Sequence, residues 1–133
     1  MKEQFRKFTN ENYIASKILY SNGKYHIATY LGGYVLEGYL KMLLISAGIS
    51  SKNIKTHNYK RLLSIFPSAF ANINITNINN LTLVCGDTGF PRWHPEKRYN
   101  VTVWNNQQFS KKIQNDIETI KNEMDDLRLK GLL

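Results

Sequence analysis

Cysteine and acidic residues are the scarce components of this 133-residue chain, and each scarcity excludes something. A single cysteine, Cys85, has no partner for an internal disulfide. No CxxC or CxxH spacing surrounds it and the three histidines show no metal spacing, so no zinc site is expected. A reducing, intracellular setting follows, with a cytoplasmic location as the expectation. An uninterrupted apolar run of membrane-spanning length is also missing. The most apolar region, 25 to 47, is broken by His26, Thr29, Glu37 and Lys41, which suits a core helix better than a membrane span. The opening residues, MKEQFRKFTNENY, hold no apolar segment of signal-peptide length, so the glycosylation-like tripeptides at Asn74, Asn80 and Asn100 read as ordinary polar sequence. GDTGF, at 86 to 90, is too short for a phosphate-binding loop and lacks its lysine, so no cofactor is expected.

The shortage of acids is uneven. Overall, 18 basic residues stand against 10 acidic ones, a formal charge of +8. Between Asn12 and Gly86 the only acid is Glu37, facing seven basic residues: Lys17, Lys24, Lys41, Lys52, Lys55, Lys60 and Arg61. Such a balance favours polyanionic partners, RNA, DNA or nucleotides, because released counterions drive their binding. The alternative is a lysine-rich surface that serves solubility.

The length fits one domain, 1 to 133. A first helix is predicted from about 10 to 21, capped by Thr9 or Asn10 and ended by Gly23. A second runs from 25 to 47, closed by Gly48, and the two form an antiparallel hairpin. SSKNIKTHNYKRLLSIFP then reads as a loop and a short helix carrying Tyr59, Leu62, Leu63 and Phe66, stopped by Pro67. Residues 68 to 85 read as a further helix and 86 to 104 as loop with a short extended segment. A last helix is capped by Asn105 or Asn106, with Phe109, Ile113, Ile117, Ile120, Met124 and Leu127 at helical spacing. The expected fold is all-α, an up-and-down bundle of four to five helices.

On a helical wheel, His26, Thr29, Gly33, Glu37 and Lys41 fall within one stripe of the second helix. Ile27, Leu31, Tyr34, Val35, Met42 and Ile45 occupy the other sides. Glu37 and Lys41 are then either an exposed i, i+4 pair worth about 0.3–0.5 kcal/mol, or a partly buried carboxylate that requires cationic partners. In the second case the neutralising groups are Lys41 and Arg98, with His57 close by. Trp93, His94 and Tyr99, set among Arg92, Lys97 and Arg98, form an aromatic and basic mixture suited to stacking bases and holding phosphates, or a loop anchored by one tryptophan. Lys52, Lys55, Lys60 and Arg61 are either a solvated face or a set of nucleic-acid contacts.

Ala28, Tyr30, Gly33, Tyr34, Glu37, Leu40 and Lys41 meet the pattern A-x-Y-x-x-G-Y-x-x-E-x-x-L-K; THN around His57 and the Arg98-Tyr99 pair follow in order. In these motifs the chain resembles the HEPN superfamily over residues 10 to 128. The resemblance implies a helical bundle, often a homodimer, found in prokaryotic or phage toxin-antitoxin pairs, defence systems and partners of nucleotidyltransferases. Many such domains are metal-independent ribonucleases, whose arginine precedes a histidine by four to six residues. This chain departs from that signature: Arg92 precedes His94 by two residues, and Arg61 follows His57. What the resemblance carries over is the cluster Glu37, Lys41, His57, Arg98 and Tyr99, as a ligand-binding or structural group. Three readings stay open: an RNA- or nucleotide-binding module; a divergent ribonuclease using His57 or His94 with Arg98 or Arg61; and a structural or regulatory dimer.

Overall fold

A computed structural model describes residues 2–57, 61, 62, 64, 65 and 105–131 of the chain. Within them lie three long α-helices, α1 (Lys2–Ser21), α2 (Tyr25–Ser46) and α3 (Gln107–Leu129), and a 3₁₀ turn at Ser51–Ile54. Residues 61, 62, 64 and 65 are also helical. No strand occurs among the described residues, as the all-α expectation requires. The expected helix over 68–85, the loop over 86–104 and the count of four to five helices fall on or depend on residues outside the described ones.

α2 is the spine. Val35, Leu36, Leu40, Met42 and Leu44 are fully enclosed, each burial favouring the folded chain by roughly 1.5–3 kcal/mol. A helix apolar on nearly all sides has no solvent face to offer, so it takes the centre and other helices cover it. From α3, Ile113, Ile117, Ile120, Met124 and Leu127 complete the core. Leu62 joins them, wholly buried.

Both ends of the α1–α2 hairpin close as the sequence predicts. The Lys24 N–H donates to Leu19 O at 2.9 Å and the Gly23 N–H to Tyr20 O at 3.0 Å. Ile49 and Gly48 repeat that pattern on Leu44 and Ile45 at the end of α2. Gly23 and Gly48 sit at φ +74° and +88°, the left-handed region this helix ending requires and a side chain resists. Asn106 caps α3, its side-chain oxygen accepting from the Phe109 N–H at 2.9 Å.

The start of α1 corrects the sequence reading. The helix begins at Lys2, not near residue 10, and Asn10 lies inside it. Thr9 caps nothing: its hydroxyl folds back onto the Phe5 carbonyl at 2.6 Å, and its side chain is buried against Gly38 of α2. Packing of Phe5 and Thr9 on α2 overrides the local preference of Thr-Asn for a helix start.

Polar contacts join the three helices. The Ser16 hydroxyl donates to Ala28 O of α2 at 2.6 Å, and the Gln114 amide of α3 donates to Ser16 Oγ at 2.8 Å. Gly32 lies at this junction, where an added Cβ would stand 2.7 Å from an Ile113 methyl. Nearer the surface, Tyr13 and Lys17 of α1 both bond Glu118 of α3. Those two bonds, Lys17 first, hold the Glu118 carboxyl below its ordinary range. Burial and the bond to Glu118 raise the Tyr13 phenol.

Candidate functional site

The polar stripe of α2 faces inward. His26, Thr29, Glu37 and Lys41 are all buried, whereas Ile27, placed on an apolar side by the wheel, is 39% exposed. Of the two readings of the Glu37–Lys41 pair, the solvent-exposed one is therefore overturned. Lys41 Nζ donates to Glu37 Oε1 at 2.7 Å, with the side chains of lysine and glutamate only 9% and 6% exposed. A carboxylate so enclosed requires compensation, and a second donor supplies it. His57 Nδ1 lies 2.9 Å from Oε1 and 2.8 Å from Oε2. An ionised carboxylate only accepts, so Nδ1 carries the proton and the basic lone pair of the neutral ring is on Nε2.

Three segments build this arrangement. Glu37 and Lys41 share a face of α2 one turn apart. His57 arrives just past the 3₁₀ turn, whose Ile54 is buried and fixes where the chain leaves the core. The turn was predicted only as loop, and His57 stands after it without a helix of its own in the described chain. α1 forms the cover. The Lys41 ammonium lies 5.8 Å from the centre of the Phe5 ring, an attraction that partly replaces lost hydration. Gly38 lets α1 come this close, since a Cβ there would overlap the Thr9 hydroxyl.

Around the ion pair stands a row of rings. Tyr34 meets Phe8 at 5.4 Å between centroids and 83° between planes, and His57 at 6.3 Å and 81°. Its hydroxyl bonds that of Tyr30 at 3.0 Å. His57 keeps 47% of its side chain exposed, in contrast to the buried Glu37 that holds it.

Of the candidates read from sequence, the structure thus brings together Glu37, Lys41 and His57. Lys52, Lys55 and Arg61 lie on the surface of the same stretch of chain. Lys60, Arg92, Trp93, His94, Lys97, Arg98 and Tyr99 lie outside the described residues. Sequence reasoning missed Phe5, Phe8 and Thr9. A signal was present: Phe5, Thr9, Tyr13 and Ser16 repeat at four, four and three residues, and this stripe runs straight through the expected cap. No group of three or more metal-binding side chains occurs among the described residues, and no described helix is long and apolar enough to cross a membrane.

An all-helical domain whose central helix carries a buried carboxylate, bonded to a lysine of its own helix and to a histidine beyond it, is the class these features define. The HEPN domain model matches residues 3–84, more than half of the chain, and the chain belongs to that family. No curated protein and no solved structure matches it.

Proposed function

We propose that this HEPN domain is an RNA- or nucleotide-binding module that makes contact through His57. The observation carrying the reading is the use of both Glu37 oxygens to hold an imidazole that is itself half exposed. A histidine needed only for packing has no reason to remain in water, while a contact residue gains from being held in one orientation before its ligand arrives. Family membership and the surplus of basic residues support the same reading. The buried pair adds nothing to the local charge, because Lys41 neutralises Glu37. Lys52 and Lys55, exposed on the stretch of chain that leads to His57, add positive charge there. A homodimer, and an antitoxin or nucleotidyltransferase partner within a defence system, belong to this proposal as its expected setting.

Fluorescence anisotropy with a labelled single-stranded oligoribonucleotide tests the reading. Binding should weaken steeply between 50 and about 200 mM salt, and His57→Ala should reduce it with little change in melting temperature. Absence of any binding to RNA or nucleotide at low salt refutes it.

A metal-independent ribonuclease is the second reading, favoured by the carboxylate-held tautomer. With Nδ1–H fixed on Glu37, Nε2 is the nitrogen able to accept a ribose hydroxyl proton. It predicts RNA cleavage in the presence of a chelator, lost in His57→Ala. Cleavage that survives the substitution removes His57 from that role.

A further inference from the structure

The turn between α1 and α2 holds a chemically reactive pair. Asn22 is the only asparagine of the chain followed by glycine. An asparagine amide is attacked by the backbone nitrogen of the next residue, and the ring closes most readily where that residue has no side chain to crowd it. Both residues are exposed, and no atom lies within 4 Å of the position a Cβ would take on Gly23, so water reaches them. In the closed turn, however, both reacting groups are engaged. The Gly23 N–H donates to Tyr20 O at 3.0 Å, and Asn22 Nδ2 donates to Ile18 O at 2.8 Å. The first bond occupies the proton that the attacking nitrogen must lose, and the second draws the side-chain amide back onto the preceding turn of α1. A third, from the Lys24 N–H to Leu19 O at 2.9 Å, completes the helix ending that Gly23 makes at φ +74°.

We propose that Asn22–Gly23 is a site of spontaneous deamidation gated by this turn, silent while the helix ending is closed and reactive when it frays. The Gly23 nitrogen bonds to Asn22 Cγ and gives up its proton to solvent; the Cγ–Nδ2 bond breaks and ammonia leaves, forming a succinimide. Water then adds to one of the two ring carbonyls. The product is aspartate or, where the chain now runs through the side-chain carbon, isoaspartate. Neither suits the turn. A carboxylate has no proton to give Ile18 O and places a negative charge at the negative end of the α1 dipole. Isoaspartate adds a methylene to the backbone between Ile18 and Lys24, where the spacing of donors and carbonyls closes the helix. Each event therefore removes part of what held the site silent, and the change is irreversible.

The test incubates the full chain in heavy-oxygen water at mildly alkaline pH, in buffer and in concentrated guanidinium chloride, and follows the tryptic peptide 18–24 by mass spectrometry. Label enters only where the amide became an acid during incubation. Conversion at Asn22 should be about tenfold faster or more in guanidinium than in buffer, because the folded turn must open first. It should split the peptide into aspartate and isoaspartate forms and outpace every other asparagine of the unfolded chain. Asn22→Gln, whose ring would be larger by one member, should show no conversion at that position in either solvent. Asn22→Asp should melt about 2–5 °C below the native chain. Equal rates in the two solvents overturn the gate, and an unconverted Asn22 in guanidinium overturns the site. An Asn22→Asp chain as stable as the native one overturns the claim that the product strains the turn.

Discussion

Replacing Glu37 by glutamine keeps the shape of the side chain and removes its charge. In the native chain the Lys41 ammonium, 9% exposed, has Glu37 at 2.7 Å as its counter-ion. Without that charge a buried cation faces an amide, one of whose groups is itself a donor. Stranding one member of a buried pair costs about 3–5 kcal/mol. The amide oxygen can still accept one hydrogen bond, and the Phe5 ring still attracts the ammonium, so we take the lower end, about 3 kcal/mol. Against a total stability of about 5–15 kcal/mol that is a large fraction, and for a domain of this size it lowers the melting temperature by about 10 °C. A double variant discriminates more sharply. Glu37→Met with Lys41→Met removes both charges and leaves apolar side chains of similar length, so the stability should return to within about 1 kcal/mol of the native value. His57, half exposed, then finds water in place of Glu37. Urea unfolding of Glu37→Gln, of Glu37→Met and Lys41→Met singly, and of the double variant, followed by circular dichroism, reads these stabilities. Glu37→Gln within 0.5 kcal/mol of native, or a double variant as unstable as the sum of the singles, refutes the account of a buried pair.

Gly38→Ala should destabilise the chain by about 1–3 kcal/mol, because the new methyl overlaps the Thr9 hydroxyl. Thr9→Ala in the same chain should reduce that penalty, as a thermal melt of the double variant will show. Ser16→Ala should cost about 1–3 kcal/mol, since it leaves the buried Gln114 amide and the Ala28 carbonyl without their shared partner; equal denaturation midpoints for native and variant would contradict it. Glu118 is held below its ordinary pKa by Lys17 and Tyr13, so its contribution is present above the unfolded-state value and lost as pH falls through the folded one. Glu118→Gln should therefore flatten the fall in stability on the acid side of neutrality. Because both ionic partners are more than 40% exposed, the effect should stay below about 1 kcal/mol.

Much of the hairpin was legible because glycine and apolar periodicity are local signals. Gly23 and Gly48 mark their helix ends through a backbone conformation that does not depend on the rest of the fold. The apolar repeat of α3 and its Asn106 cap are equally local. The start of α1 was not legible in that way: Thr9-Asn10 has cap chemistry, and only contact with Gly38 makes Thr9 a packing residue. Glu37 was conspicuous as the one acid among seven cations, and its pairing with Lys41 follows from spacing. Whether that pair faced water or the interior depended on what covers α2, and the cover is the part of α1 read as preceding the helix. Phe8 and Tyr34 were hidden for the same reason, since their relation to His57 crosses three segments.

The bond between Glu37 and His57 joins residues 20 positions apart and so acts as a tether on the stretch between the end of α2 and the histidine. Closing a loop of that length has an entropic cost that its contacts must meet, and Ile54, with Ile49 packed on the core, shares that task with the histidine. It should therefore open as a unit, exchanging its amide hydrogens ahead of α2 and together with the release of His57. A ligand that engages the imidazole would then be read out at a distance, as slower exchange from Ile49 to Thr56, without any change in the helices themselves.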